Sequence, residues 1–332
     1  MFRASLSFLA FQQSLAAVTW RTIGCDGWTF KGKSIDAIWD NAVLMTTQAQ
    51  SQIDAIPTRM RMGGFNDLQK RAGANAEFMF GVNFNRFTGL GSAGLATMRT
   101  AKTMYSDIQK GLQGTLDNLD VGNAYLFCGA NGLTKSPIPE YRDPGPIWHA
   151  EVEIDLPGEN PGEIDRVTEY ILLSFAANRE AGEPCAEPGQ NYAGKTFTAT
   201  QRIGEVEEQF VGIILCPNRW EENGYKIFAT LDQGFPAEAS EENKYPYIGD
   251  YNSVSGTLVH EMTHVVGRVR DNQKYQDDNR VGFKAAVKLA QDDQPAALTN
   301  PDTYRIFAEM SMSPSTKWGQ PNPQSGQHRT NG

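Results

Sequence analysis

A five-residue motif constrains this chain more than any other feature of its sequence. Residues 260–264 read His-Glu-Met-Thr-His, and the apolar residues Leu258, Met262 and Val265 recur around the motif at helical spacing. In a helix, His260 and His264 project from the same face, so both imidazoles can reach one metal ion. Glu261 then lies beside them, where it can take a proton from a metal-bound water.

A zinc site with two histidines needs a third protein ligand and leaves one position for water. Arg270 occupies the position of a third metzincin histidine, which excludes that ligand set. Glu309 is the only glutamate after Glu261, and it is the candidate if the site is of gluzincin type. Several aspartates are further candidates: Asp271, Asp277, Asp278, Asp292, Asp293 and Asp302. We do not expect the other two histidines to bind the metal. His149 lies more than a hundred residues before the motif and is expected to have a structural role, and His328 lies in the predicted tail.

Hydrophobic periodicity predicts a mixed α+β chain. Apolar residues at helical spacing, with their caps, predict helices over Ser34–Ile56, Ala93–Leu112, Gly256–Val266, Gly282–Gln291 and Pro301–Met310. Short apolar runs between Gly and Pro predict strands over Ala124–Cys128, Trp148–Leu156, Tyr170–Phe175 and Phe210–Cys216. Ser253 or Ser255 can cap the helix that carries the motif, and Asn300 with Pro301 can begin the last helix.

Composition and the chain ends limit the partners. The net charge is −9, from 30 Lys and Arg against 39 Asp and Glu, with no basic block for nucleic acid. No stretch approaches the roughly 18 apolar residues of a membrane-spanning helix, so no membrane partner is expected. Residues 1–17 resemble a signal peptide. Residues 18–312 are predicted to form one domain, and residues 313–332, which are poor in apolar side chains, are predicted to form a disordered tail.

The four cysteines favour an exported protein. They are far apart, and none forms a Cys-x-x-Cys pair that would chelate zinc or exchange disulfides: Cys25, Cys128, Cys185 and Cys216. Two disulfides are therefore expected, in an oxidising compartment outside the cell. The sequence pattern alone allows three pairings and does not choose among them.

Several segments resemble the aspzincins, the deuterolysin and peptidyl-Lys metalloendopeptidase group of secreted zinc peptidases. The segments are Val211–Cys216 with Trp220, Ser255–Val259, Asp278–Ala286, and Asn300–Tyr304 with Phe307. The resemblance covers about residues 22–312 and is most specific between Cys216 and Phe307. It implies a zincin-like fold with N-terminal helices, a small antiparallel or mixed sheet, the motif helix and C-terminal helices. It also implies that Val211–Cys216 is the edge strand before the motif helix.

The resemblance assigns roles to individual residues. One zinc ion would be bound by His260, His264 and Asp278, with Glu261 as the general base. Asp277 is the second candidate for the carboxylate ligand, and Glu309 is an alternative. The resemblance also implies disulfides between Cys25 and Cys128 and between Cys185 and Cys216.

Two further positions match residues that lie near the metal in the family. Asp302 matches an acidic residue that can orient a ligand or receive a basic substrate side chain; a favourable charge in the first turn of a helix is the alternative. Tyr304 is a second candidate for a contact with a ligand or substrate.

The chain departs from the family at the oxyanion position. The Gly-Thr pair that introduces the ligand aspartate is missing, and Val281 replaces a tyrosine that hydrogen-bonds the oxyanion. Removing one such donor typically costs about a hundred- to thousandfold in rate. Tyr275, Tyr304 and Arg280 are the candidate substitutes.

The sequence therefore predicts a secreted, monomeric zinc endopeptidase that acts on proteins or peptides. The alternative is a secreted aspzincin-like binding or effector protein with reduced or lost catalytic activity, a reading motivated by Val281.

Overall fold

A computed structural model describes the greater part of the chain. The described residues are 20–59, 64–119, 124–138, 146–157, 164–173, 184–185, 192–203, 206–222, 224, 226–233, 235, 246–271 and 281–318. The predicted signal peptide at residues 1–17 lies outside them, as do residues 319–332 of the predicted tail. Within the described ranges, no helix is both long and apolar enough to cross a membrane.

The helices follow the predicted pattern with three additions. They are α1 (Ile35–Ala55), α2 (Asp67–Phe80), α3 (Ser92–Leu112), α4 (Pro217–Glu222), α5 (Val254–Asp271), α6 (Phe283–Asp292), α7 (Gln294–Ala297) and α8 (Pro301–Ser311). All five predicted helices are confirmed as α1, α3, α5, α6 and α8. Helices α2, α4 and α7 were not predicted, and α5 extends five residues beyond the predicted end at Val266.

Two of the three proposed caps form as expected. The Ser34 hydroxyl accepts a hydrogen bond from the Ala37 amide at the start of α1, and the Ser253 hydroxyl accepts one from the Gly256 amide at the start of α5. Asn300 occupies the cap position of α8, but its side chain makes no capping bond. Its amide nitrogen donates to the Thr303 hydroxyl instead.

The strands form one large sheet and two small ribbons. They are β1 (Arg21–Ile23), β2 (Thr29–Phe30), β3 (Lys33–Ser34), β4 (Phe84–Asn85), β5 (Gly89–Leu90), β6 (Tyr125–Cys128), β7 (Thr134–Ser136), β8 (Ile147–Pro157), β9 (Ile164–Leu173), β10 (Gly194–Ile203) and β11 (Val206–Leu215). The large sheet has the order β1-β6-β11-β10-β9-β8-β7 and is mixed, because β6 pairs in parallel with both β1 and β11. The predicted mixture of helices and strands is thus confirmed.

The strand before the motif helix is interior, which corrects one expectation. Strand β11 pairs with β10 in antiparallel register, Gly194 opposite Leu215, and with β6 in parallel register, Gly212 opposite Tyr125. Both of its edges are therefore hydrogen-bonded, so the segment Val211–Cys216 is not an edge strand. The strand that contacts the motif helix most closely is β10, which was not predicted.

The two faces of the sheet enter different cores. Leu126 and Ile213 pack with the helices, whereas the next residues, Phe127 and Ile214, pack in a second cluster on the opposite face. This alternation is the period of two that a strand imposes. On the helical side, α5 packs against α1, α3 and α8, so the motif helix is surrounded by other elements.

Both disulfides form with the pairing that the resemblance implied. Cys25 is bonded to Cys128, and Cys185 is bonded to Cys216, with Cα–Cα distances of 5.0 and 5.3 Å. The second bridge joins the residue after β11 to the chain segment before β10. It therefore braces the part of the sheet that lies against α5.

The packed domain extends beyond residue 312, where the predicted tail begins. The Trp318 ring is only 4% exposed and packs edge-on against Phe235 and Tyr251, at centroid distances of 5.4 and 5.9 Å. Its indole nitrogen donates to the Met310 carbonyl. The predicted tail boundary was placed too early, because one large apolar side chain fixes Ser313–Trp318 against the domain.

Candidate metal centre

The motif helix presents its two histidines to a cleft. Leu258, Met262 and Val265 are fully buried, which confirms the predicted core-facing stripe of α5. His260 and His264, one turn apart, have ring centroids separated by 5.2 Å. Both rings line a cleft of about 300 Å³ between α5, β10 and the start of α8. The predicted placement of the histidine pair on one accessible face is therefore observed.

His260 is oriented by a buried carboxylate. Its Nδ1 atom lies 2.8 Å from Oδ1 of Asp302, at the start of α8. This contact occupies the Nδ1 atom of the ring. A metal-binding histidine is commonly held in this way by a carboxylate on its other nitrogen.

Asp302 is held by several groups at once. The same Oδ1 atom accepts a hydrogen bond from Nε of Arg305 at 2.8 Å, and Oδ2 accepts one from the Gly282 amide. The residue is 1% exposed. Burial opposes ionisation, but Arg305 and His260 outweigh it and hold the pKa of the Asp302 carboxyl well below its usual value. Asp302 is therefore an anion with a fixed orientation.

Arg305 links Asp302 to a second buried carboxylate. Its Nη1 atom lies 3.0 Å from Oε2 of Glu309 and also donates to the Asn252 side chain. The other Glu309 oxygen accepts from the amide and hydroxyl of Ser253, the cap of α5. Burial raises the pKa of Glu309 to about 7, although Arg305 opposes the shift. Glu309, in the last turn of α8, thus joins that helix to the start of α5.

Glu261 is positioned by the sheet. Its side chain is buried, and the Thr196 hydroxyl on β10 lies 2.7 Å from Oε2 and 3.0 Å from the Glu261 carbonyl oxygen. Because Thr196 contacts both the main chain and the side chain of Glu261, β10 fixes the carboxylate relative to the histidine face of α5. Glu261 lines the same cleft as the two histidines.

Four of the remaining predicted residues lie within residues 272–280, outside the described ranges. They are Tyr275, Asp277, Asp278 and Arg280. Among the described residues, no cluster of three or more His, Cys, Asp or Glu side chains could hold a metal ion. Val281 lines the cleft, with 54% of its surface exposed.

Tyr304 and His149 are placed away from the candidate chemistry. The Tyr304 ring is fully buried against Phe80 and Tyr105, and its hydroxyl donates to the Leu298 carbonyl. Core packing therefore accounts for Tyr304, which does not line the cleft. His149 is buried in β8, with its ring nitrogens against the Ile147 carbonyl and Glu151, so it has the structural role expected.

The sequence analysis missed several residues that line the cleft, among them Thr196, Arg268 and Arg305. Arg268 follows His264 by four residues and Arg305 follows Asp302 by three, so helical spacing could have identified both. No local pattern connects Thr196 with Glu261. Partial burial lowers the pKa of the Arg268 guanidinium, and the nearby Glu261 carboxylate opposes that shift.

A comparison with known families bears on the same part of the chain. Residues 243–309 match the aspzincin family, whose description is lysine-specific metallo-endopeptidase. The predicted aspzincin resemblance is confirmed. The aspzincin segment includes the whole motif helix, Asp302 and Glu309. No curated protein and no solved structure matches the chain.

The aspzincin match supports a general assignment. It indicates a zinc metalloendopeptidase, a hydrolase that acts on proteins or peptides, and members of the family use zinc. The residues that the structure brings together at the cleft lie largely within this segment: His260, Glu261, His264, Arg268, Asp302 and Arg305.

Proposed function

We propose that the protein is an exported zinc endopeptidase that uses Glu261 as its general base. The observation that carries the proposal is the arrangement on α5: two histidines one turn apart face a cleft, and a buried glutamate beside them is fixed by Thr196. Histidines at this spacing with an adjacent glutamate are the arrangement that metal-assisted peptide hydrolysis requires.

The donor set fits zinc. His260 and His264 would be two ligands, and Asp302 already occupies the ring nitrogen of His260 that zinc would not use. Asp278 is the proposed third ligand, with Asp277 as the second choice. Three such ligands would leave the fourth coordination position of the zinc ion for water or substrate. The ion would then polarise the scissile carbonyl and lower the pKa of a bound water molecule.

The chain's own residues then move the proton. The Glu261 carboxylate takes a proton from the water and returns it to the departing amine, so one group acts as base and then as acid. The Thr196 hydroxyl donates to Oε2, which restrains the carboxylate in the orientation that this transfer needs. The low exposure of Glu261 keeps bulk water from competing for the same proton.

Export is the second part of the proposal. The two disulfides suit an oxidising compartment, and residues 1–17 have the composition of a signal peptide. The chain would therefore act outside the cell, as a monomer on proteins or peptides.

A second candidate function is a binding or effector protein that keeps the metal and has lost turnover. The observation that favours it is Val281, whose aliphatic side chain lines the cleft where the family has a tyrosine hydroxyl. Valine has no donor for a developing oxyanion, and such a donor is worth about a hundred- to thousandfold in rate.

Casein cleavage by purified protein, with zinc content measured on the same sample, separates the two functions. The endopeptidase predicts cleavage that a zinc chelator stops and that Glu261→Gln abolishes while zinc is retained. Glu153→Gln, at an exposed glutamate on β8, is the matched control and should cleave like the wild type. One zinc per chain without any cleavage would establish the binding function instead.

The third ligand is tested by zinc retention. We expect Asp278→Ala to lose the ion, because a three-ligand site lacking one ligand binds zinc far more weakly. Glu309→Ala should retain zinc, since both of its carboxylate oxygens are bonded to Ser253 and Arg305. Retention by Asp278→Ala and loss by Asp277→Ala would move the assignment by one residue.

A further inference from the structure

The cleft has no hydroxyl group at position 281. Val281 occupies the position of the family tyrosine that hydrogen-bonds the oxyanion, and its exposed aliphatic side chain lines the cleft. When water adds to the carbon of a peptide carbonyl, negative charge develops on the oxygen, and a donor aimed at that oxygen is typically worth about a hundred- to thousandfold in rate. An active peptidase with this sequence therefore needs another donor in the cleft.

Three donors of the cleft are engaged by the protein itself. The Thr196 hydroxyl donates to Oε2 of Glu261, and Nδ2 of Asn252 donates to the Gly249 carbonyl. Two nitrogens of the Arg305 guanidinium are bonded to buried carboxylates. Each of these bonds fixes a part of the site, so redirecting the donor to a substrate would release that part.

Of the substitutes that the sequence suggests, one is excluded by the structure. The Tyr304 hydroxyl donates to the Leu298 carbonyl inside the core, and Tyr304 does not line the cleft. Tyr275 and Arg280 lie outside the described ranges. They remain alternatives, and their variants therefore belong in the test.

Arg268 is a cleft residue on the motif helix itself. It follows His264 by four residues and Glu261 by seven, so the three side chains project from one side of α5. Arg268 is partly buried and lines the same cleft as the histidines. The Glu261 carboxylate raises the pKa of the Arg268 guanidinium while burial lowers it, which places the guanidinium within electrostatic reach of the proposed base.

A guanidinium has the properties that an oxyanion donor requires. It stays protonated and carries five N–H donors in one plane. Arg268 can therefore keep a protein partner and still donate to a substrate oxygen. Charge-assisted hydrogen bonds are stronger than neutral ones, and partial burial strengthens them further by lowering the local dielectric constant.

We propose that Arg268 is a catalytic residue that donates a hydrogen bond to the carbonyl oxygen of the scissile peptide bond. In the addition step, the water oxygen bonds to the carbonyl carbon, the π electron pair moves to the carbonyl oxygen, and the water proton passes to Glu261. In the second step, the carbonyl re-forms, the carbon–nitrogen bond breaks and Glu261 returns the proton to the departing amine. Arg268 exchanges no proton in either step. The inference rests on the proposed peptidase function and deepens it.

The test uses a synthetic peptide that spans a casein bond cleaved by the wild type, located by mass spectrometry, and the phosphinate analogue of the same peptide. A phosphinate has a tetrahedral, anionic centre in place of the scissile bond, so it resembles the transition state. The kcat and KM for the peptide and the calorimetric Kd for the phosphinate are measured on zinc-loaded protein. Zinc content is measured on each variant.

We expect Arg268→Gln to lower kcat about 100- to 1,000-fold, because it removes a donor that acts in the transition state. KM should change less than about threefold, and the phosphinate Kd should rise by the factor by which kcat/KM falls. Zinc content should stay at the wild-type level. Arg268→Lys keeps the charge but not the planar fork, so its kcat should lie between the two. Arg99→Gln, at an exposed arginine of α3, is the matched control and should behave as the wild type.

Three other variants test the competing donors. Tyr192→Phe removes the hydroxyl of a tyrosine that lines the cleft, and Tyr275→Phe and Arg280→Gln remove the two donors outside the described ranges. Each should leave kcat within about threefold of the wild-type value. A loss of about a hundredfold in one of them, with Arg268→Gln near the wild type, would assign the donor to that residue and overturn the inference.

The outcomes separate the inference from the proposed function. No casein cleavage by the zinc-loaded wild type removes the peptidase and the inference with it. Cleavage by the wild type with unchanged kcat in Arg268→Gln overturns the inference alone, as does the loss of zinc from that variant. If Arg268→Gln does not fold, Arg268→Lys decides: a lower kcat with weaker phosphinate binding supports the inference, and wild-type values overturn it.

Discussion

Glu261 depends on a residue from a distant part of the chain. Thr196 is 65 residues away in sequence, yet its hydroxyl is within hydrogen-bonding distance of both the carboxylate and the carbonyl of Glu261. The motif supplies the proposed base, but β10 supplies its orientation. At the scale of single residues, we therefore expect catalysis to be sensitive to a side chain that no motif contains.

Replacing the Thr196 hydroxyl tests whether its hydrogen bond positions the Glu261 carboxylate. We expect Thr196→Val to lower kcat about 10- to 100-fold, because a hydrogen bond to a charged group is worth about 1.5–3 kcal/mol. Zinc content should remain at the wild-type level, since Thr196 lies beside the base and the histidines are unchanged. The comparison is steady-state casein cleavage, with Thr100→Val on the exposed face of α3 as the control. A kcat equal to that of the wild type would show that burial alone positions Glu261.

We expect Asp302 to affect the affinity for zinc more than the rate of peptide hydrolysis. Asp302→Asn preserves the shape of the side chain but removes the charge that orients His260 and pairs with Arg305. We expect zinc affinity to fall about 10- to 100-fold, as is typical when the partner of a ligating histidine is changed. Competition with a chromogenic chelator measures this value. Asp292→Asn, at an exposed aspartate paired with Lys288, should bind zinc normally, and equal affinities in the two variants would contradict the assigned role.

Among the elements, β10 and α5 approach each other unusually closely at Gly194. A Cβ atom placed on Gly194 would lie 2.5 Å from the Thr257 methyl carbon and 3.2 Å from Cγ of Glu261. The first residue of β10 must therefore lack a side chain for the strand to lie against the motif helix.

A side chain at this position should separate the two elements. We expect Gly194→Ala to destabilise the fold by about 1–3 kcal/mol, the usual cost of overpacking, and to displace Glu261 and so reduce cleavage. Chemical denaturation and casein cleavage measure the two effects. Gly91→Ala is the control, because a Cβ there meets nothing within 4 Å. Full activity with wild-type stability would mean that α5 can move without consequence.

The success of the sequence analysis differed between elements for physical reasons. The five predicted helices carry large apolar residues at helical spacing. Helix α2 was missed because its large buried apolar residues, Met79 and Phe80, lie only in its last turn, and the rest of its buried face is small or polar. Strand β10 was missed because threonine and charged residues alternate with few apolar ones along Gly194–Ile203. In the site, the motif predicted the histidine face, but contacts between distant segments, such as Thr196 with Glu261, leave no local pattern.

Across the whole molecule, the two disulfides close loops of different length. Cys25 and Cys128 are 103 residues apart, and Cys185 and Cys216 are 31 apart. A longer closed loop removes more entropy from the unfolded chain, by about 1 kcal/mol between these two lengths.

Removing each bridge in turn should reveal this difference. We expect the Cys25→Ala/Cys128→Ala variant to lose about 1 kcal/mol more stability than the Cys185→Ala/Cys216→Ala variant, within a total of about 2–5 kcal/mol each. The free energy of unfolding from urea titration is the measurement. The second variant should in turn lose more cleavage activity, because its bridge braces the sheet beside α5. The reverse order in stability would show that local packing outweighs loop entropy.

The packing of α1 against α5 determines when the cleft can first exist. The Ser255 hydroxyl donates to the Ile38 carbonyl, 217 residues earlier in the chain, and α8 packs against both helices. Because α8 follows α5 in the chain, α5 has its full support only after Pro301–Ser311 has been synthesised. A nascent chain that ends before α8 therefore carries the HExxH motif without a complete cleft, and on the proposed function we expect it to have no peptidase activity.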